Sequence, residues 1–292
     1  MTFSSATDTA AATNPHMQAK NSSFHMAMLL LPKAKRKALL TLYAVCRALD
    51  DAVDDAPTPQ AAQMALQQWN QELDAVFHYG TPTLSLTRDL QVIHQRYQFN
   101  YADMQSMLAA LQCDAQERML CPSLTELEHY CYGVASAVGL MSMQIFGCDN
   151  PQARPFAIAL GHALQLTNIL RDVLTDAALG RVYLPIEVLE APITPAAILY
   201  NPPTIQPACA ILAQRAKKYF LEADALATYL PTRAIAPALA MRDVYGLYWH
   251  KLQTLHWHSP ATGKIPLTTT EKASLVARAS SYLLGQFKPV EL

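Results

Sequence analysis

The stretch from Pro32 to about Asp54, KAKRKALLTLYAVCRALDDAVDD after the proline, restricts the fold more than any other part of the chain. Apolar residues recur through it at helical spacing, with no internal glycine or proline. A segment this long and this regular has only a helix open to it. The same reading applies to Ala61 to Tyr79, held between APTPQ and GTPT, and to Leu84 to Tyr97, Tyr101 to Glu117 and Leu124 to Phe146. GCDNPQARP then turns the chain into a helix from about Phe156 to Asp176. A proline-rich irregular stretch from YLPIEVLEAPITP to NPPTIQP precedes a helix over Ala208 to Tyr229. PTRAIAP opens the next, which passes through Trp249 and Lys251, and TTTEKASLVARASSYLL is the last, with Thr269 or Thr270 as its cap. Neither strand-like alternation nor a repeat of fixed period interrupts this pattern. An all-α fold with a single core is the expectation.

Composition adds limits on function. Only 15% of the 292 residues are charged, against about 25% in average soluble domains, so a large apolar interior is expected. A net charge of −1 gives no overall field to hold nucleic acid, and no nucleic-acid partner is expected. The six cysteines, at 46, 113, 121, 131, 148 and 209, form no CxxC pair and read as packed thiols in a reducing compartment. Residues 1–20, containing MTFSSATDTAAATNPHM, lack the basic and apolar regions of a signal peptide and read as a disordered tail, leaving 21–292 as one domain. The greasiest run, Met26 to Pro32, is too short to cross a bilayer.

Two constellations carry chemistry. The first is Tyr43, Arg47, Asp50, Asp51, Asp54 and Asp55. Steps of three and four place Tyr43, Arg47, Asp50 and Asp54 on one helix face. Like charges four apart cost about 0.2–0.5 kcal/mol per pair, helix C-termini disfavour acids, and nothing basic follows one turn beyond Asp54. A bound cation would relieve the repulsion; the alternative is a solvated acidic helix end. The second constellation, in HALQLTNILRDVLTD, spaces Gln165, Asn168, Asp172 and Asp176 by three, four and four, with Arg171 beside them. Its helix follows the apolar run FAIALGHAL, which should bury it on most sides, and buried carboxylates need partners.

Two Asp-x-x-x-Asp faces with an amide beside one of them suit a hard cation, Mg²⁺ or Mn²⁺, rather than zinc. Magnesium keeps few protein ligands and completes its shell with water and substrate phosphates, so two such clusters imply a polyphosphate between them. Arg47 and Arg171 would bond the same phosphates, or else pair with their acidic neighbours. Gly133, Ala135, Ser136, Ala137 and Gly139 leave little bulk on their helix, which suits either apolar tails lying against backbone or close helix packing. His256-Trp257-His258 has no third ligand nearby and is not read as a metal site.

SSF, LLP, LYAVCRALDDAVDD, YCYGVASAVGLMSMQIFG and ALQLTNILRDVLTDAALGRVYLP together resemble the trans-isoprenyl diphosphate synthases of the squalene and phytoene synthase type. The resemblance runs from NSSFHMAMLLLP to the helix containing Tyr245. Within the family, YCYGVASAVGLMS and DAALGRVYLP look most like the bacterial hopanoid-pathway presqualene diphosphate synthases. The resemblance implies an isoprenoid synthase helical bundle around a central apolar channel, and head-to-head condensation of two farnesyl diphosphates to presqualene diphosphate. Mg²⁺ or Mn²⁺ would be required and NADPH would not. Asp50 and Asp54 would hold metal on one wall and Asn168, Asp172 and Asp176 on the other. Ser22, Ser23, Tyr43, Arg47, Gln165, Arg171 and Tyr245 match diphosphate-contacting or channel positions, and Tyr130 a proton-relay position, beside the four catalytic aspartates. Asn21 departs from the serine common in the family, and Leu174 and Thr175 replace acids inside the second motif. The resemblance also implies a cytoplasmic protein, transiently touching the inner-membrane surface and other pathway enzymes. The rival outcomes are a squalene, dehydrosqualene or phytoene synthase, a terpene cyclase, and a non-catalytic assembly or lipid-binding factor.

Overall fold

A computed structural model describes residues 24–116, 119–258, 260 and 263–289. Ser22, Ser23, Asn21 and the tail expected at 1–20 lie outside the described residues. After a short helix α1 (Phe24–Leu29), the long expected helix forms as α2 (Lys33–Asp54). α3 (Pro59–Phe77) starts where Thr58 Oγ1 accepts the Ala61 N–H at 3.1 Å and Pro59 occupies the first helical position. α4 (Ser85–Tyr97) and α5 (Tyr101–Ala115) follow, the first ended by Gln98 at φ 54° and the second capped by Asn100.

The single helix expected over Leu124–Phe146 is interrupted. α6 (Leu124–Cys131), opened by a Ser123–Glu126 capping box, passes through a π-helical turn (Tyr132–Ser136) into α7 (Ala137–Phe146). The π turn is pressed from both sides. A Cβ at Gly133 would collide with the Ser106 carbonyl and Ala110 of α5. On the other side, a Cβ at Gly161 would stand 2.5 Å from Ser136 Cα.

α8 (Ala153–Ala178) is the longest helix, at 26 residues, and packs most extensively against α10 (Gln206–Ala227). Between them the proline-rich stretch holds two 3₁₀ turns and a short α9 (Pro195–Tyr200), where only irregular chain was expected. α11 (Thr232–Thr254) carries Pro237 inside it rather than before it. α12 (Thr269–Leu283) is capped by Thr268, one residue earlier than expected, because Thr268 and not its neighbours has a glutamate three residues on to close a capping box.

The expected single core is two apolar clusters joined along α8. Phe156, Ala157 and Leu160 pack with Leu42, Leu49, Leu66 and Leu73. Leu166, Ile169 and Leu170 pack with Leu212, Phe220 and Trp249. Arg242, fully buried, bonds Asp224 through Nε at 2.8 Å, and Arg278 bonds Asp243, so ion pairs tie α10, α11 and α12 together. Among the described residues the only β pairing is a single parallel bridge, Leu120 with Val182. Among them, too, no helix is long and apolar enough to cross a membrane.

Candidate active site

α2 and α8 run alongside one cavity of about 410 Å³, both in the same sense. α2 lines it from Leu39 through Tyr43, Cys46 and Arg47 to Asp50, and α8 from Phe156 through Leu160 and Gln165 to Asn168 and Arg171. Each helix therefore changes from apolar to polar along the cavity, over roughly 16 Å on α2 and roughly 22 Å on α8 at 1.5 Å per residue. Tyr245 closes the polar end from α11, and Met107, Met143 and Phe146 face the apolar part. Ala135 and Gly139 also line it, whereas Gly133, Ser136 and Ala137 are buried in helix contacts, so the small-residue stripe serves both uses.

At the polar end the two arginines pair with acids. Arg47 Nη2 is 2.7 Å from Asp51, not Asp50. Arg171 forks onto Asp172 with Nε at 2.8 Å and Nη2 at 2.5 Å. Asp54 does find a cation, Arg181 at 2.7 Å, which the fold brings from just beyond α8 rather than from its own helix. Asp50 and Asp176 remain under-compensated. Burial pushes each up to about 7; Asp54 and Asp51 add to the rise at Asp50, and Asp172 at Asp176. Asn168 Nδ2 donates to Gln165 at 3.2 Å, while its buried Oδ1 has no hydrogen-bond partner among the described residues. Gly263, at φ +62°, lets the segment before α12 press on α8: a Cβ there would stand 2.9 Å from Asp172 Oδ1.

This donor set fits a hard cation. Two carboxyls held up near 7 by burial and by the carboxylates beside each, and an amide oxygen left unbonded, are groups that a divalent ion would satisfy. Among the described residues no three histidine, cysteine or carboxylate side chains converge tightly enough to hold an ion by themselves. Ligand oxygens would complete the shell, as is usual for magnesium.

Three residues that the sequence motifs had assigned no role belong here as well: Asp114, Arg181 and Tyr183. Asp114 accepts the Tyr130 hydroxyl at 2.9 Å and the Tyr183 hydroxyl at 2.9 Å. The two phenols stack, ring centroids 5.1 Å apart. Tyr130 is thus held at the acidic mouth rather than along the apolar cavity. Asp114 was visible only indirectly, as a carboxylate in register with the buried Met107, Ala110 and Leu111 stripe of α5. His258 contacts Gln206 instead of joining a metal group.

The squalene/phytoene synthase family model matches residues 17–270. A presqualene diphosphate synthase of Sinorhizobium fredii is 35% identical over 242 residues, 82% of this chain and 86% of the relative. One of Rhodopseudomonas palustris is 33% identical over 270 residues, 91% and 94% of the two chains. Among solved structures, a dehydrosqualene synthase superposes with a TM-score of 0.76 at 26% identity, covering 93% of this chain and 95% of the other. Squalene synthase HpnC from Alicyclobacillus acidocaldarius gives 0.71 at 26% identity, covering 81% and 90%. The family model spans both acidic helices and the cavity between them, and the chain belongs to the squalene/phytoene synthase family.

Proposed function

We propose that this chain condenses two farnesyl diphosphates head to head to presqualene diphosphate, with Mg²⁺ held by Asp50, Asp54, Asn168, Asp172 and Asp176. The observation that carries the reading is the cavity itself: two helices pass together from an apolar wall to a polar end of Arg47, Asp50, Gln165, Asn168 and Arg171, matching an ionisable diphosphate joined to a hydrocarbon tail. Asp54, Asp172 and Asp176 follow on the same helices, just beyond the lining. When bound, magnesium supplies charge neutralisation at the departing diphosphate. Arg47, Arg171, Gln165 and Tyr245 orient that group from α2, α8 and α11. Val138, Met143, Phe146 and Phe156 receive the hydrocarbon tails, which fill the cavity and exclude water behind the allylic cation left when the C1–O bond breaks. The C2=C3 bond of the second substrate attacks this C1, leaving a cation at C3. Loss of a proton from C1 then lets its C–H electron pair close the cyclopropane.

The similarity to presqualene diphosphate synthases of Sinorhizobium and Rhodopseudomonas favours a reaction that stops there. The likeness to a dehydrosqualene synthase supports a second reading in which the cyclopropyl diphosphate ionises again. The test is mass spectrometry of products from the purified protein with farnesyl diphosphate and Mg²⁺, with and without NADPH. Presqualene diphosphate, unchanged by NADPH, is expected. A C30 hydrocarbon would favour the second reading, and a C40 product from the C20 diphosphate would favour a phytoene synthase. Substrate and product both carry long apolar tails, so we place the reaction in the cytoplasm at the periphery of the inner membrane.

A further inference from the structure

Ring closure requires a base, and a lone phenol is a poor one. Burial, and then the Asp114 carboxylate, push the Tyr130 hydroxyl well above its ordinary range, so a phenolate there is strongly disfavoured. A neutral phenol that already donates to a carboxylate is a different reagent. Its oxygen gains a proton acceptor's character to the extent that its own proton moves toward the carboxylate behind it. Tyr130 is placed in that way. Its hydroxyl points at Asp114 Oδ2, while Asp114 Oδ1 is occupied by the Tyr183 hydroxyl, and the two phenol oxygens are 3.3 Å apart. One carboxylate, on α5, thus holds phenols from α6 and from the chain beyond α8. Its charge also acts on Asp50 of α2 and Asp176 of α8, so it lies within electrostatic reach of both walls. With Asp54 and Arg181 it lines a hollow one helical turn from Asp50.

Resting on the proposed condensation, we infer that Asp114 is the positioning residue and final proton acceptor behind Tyr130 in cyclopropane closure. The proton leaves C1 of the former donor for the Tyr130 oxygen. The Tyr130 proton passes to Asp114 Oδ2, and the C–H electron pair becomes the C1–C3 bond. The sum is two farnesyl diphosphates giving presqualene diphosphate, one diphosphate and one proton, the last parked on Asp114 until it exchanges with solvent. Tyr183 keeps the second carboxylate oxygen occupied, so that Oδ2 faces Tyr130. Burial holds the Asp114 carboxyl above the usual carboxylate range, which strengthens it as a proton acceptor, and Arg181 offsets part of that rise.

Asp114→Asn and Tyr130→Phe test this when diphosphate release and cyclopropyl product are measured separately. The relay acts after the first ionisation, so both variants should still release diphosphate while forming presqualene diphosphate roughly 10²-fold more slowly. Carbon should then appear in products without the cyclopropane. Combining the two substitutions should cost little beyond either alone, since they interrupt one path. Tyr183→Phe should give a smaller uncoupling. A fall in both readouts together, with circular dichroism unchanged, would assign Asp114 to the ionisation step and overturn the relay. So would a Tyr130→Phe enzyme with coupled turnover, an outcome that needs no folded Asp114 variant and leaves diphosphate itself as the base. Failure of the wild-type protein to make any cyclopropyl diphosphate would instead reject the condensation, so the two ideas fail separately.

Discussion

Asp50 holds its position against its own electrostatics. The arginine one turn earlier on its helix pairs with Asp51 instead, and burial pushes the Asp50 carboxyl up to about 7. A carboxyl higher in the folded than in the unfolded chain leaves stability intact below about pH 4. It removes that stability progressively as pH rises to about 7, because only the unfolded state can ionise freely across that window. Asp50→Asn should therefore raise the melting temperature of metal-free protein at pH 8 by about 2 °C, on the order of 1 kcal/mol, and leave it nearly unchanged at pH 4. The same substitution should lower turnover by roughly 10²-fold or more at saturating Mg²⁺. Thermal melts at the two pH values, set beside steady-state rates, check both halves. Lower stability at pH 8 would mean that the carboxylate is a structural partner and not a group waiting for a cation.

Among the helices, legibility followed the range of the interactions that shape them. α2 and α8 were readable because 3.6-residue periodicity and Asp-x-x-x-Asp spacing are local properties of one segment; of their polar faces, Arg47 and Asp50 on α2 and Gln165, Asn168 and Arg171 on α8 line one cavity, while Asp54, Asp172 and Asp176 stand outside its lining. The π turn at Tyr132–Ser136 was not, since it lies between Gly133 against α5 and Gly161 of α8, contacts made with other elements. Asp114 was missed for the same reason: the phenols it accepts lie 16 and 69 residues away. The stripe of small residues could not be divided from sequence, but the structure assigns Gly139 to the cavity wall and Gly133 to a close crossing with α5. Gly139→Leu should accordingly weaken use of long prenyl substrates roughly tenfold or more, with inorganic diphosphate affinity nearly unchanged. Gly133→Ala should destabilise the whole protein by about 1–3 kcal/mol, because the Ser106 backbone would have to retreat. Chemical denaturation and diphosphate binding on both variants check the division. Equal loss of diphosphate affinity in Gly139→Leu would make that glycine a packing residue too.

At the scale of the molecule, the two acidic walls come from opposite halves of the chain and meet without a direct bond between their aspartates. Arg181 is the cation that reaches both, bonded to Asp54 and acting on Asp176. A ligand that brings positive charge to both walls should therefore bind better once an anion is present to bridge it, and the anion better once the cation is there. Such mutual dependence appears in stability, since a ligand at 100 times its dissociation constant adds about 2.7 kcal/mol to the folded state. Mg²⁺ and inorganic diphosphate together are expected to raise the melting temperature by about 5 °C, more than the sum of their separate effects. Asp172→Asn should abolish the excess while keeping a folded baseline, because its loss removes one wall's share of the charge and little packing. Additive shifts in the wild-type protein would mean that the metal and the diphosphate bind independently, and that the two helices do not form one site.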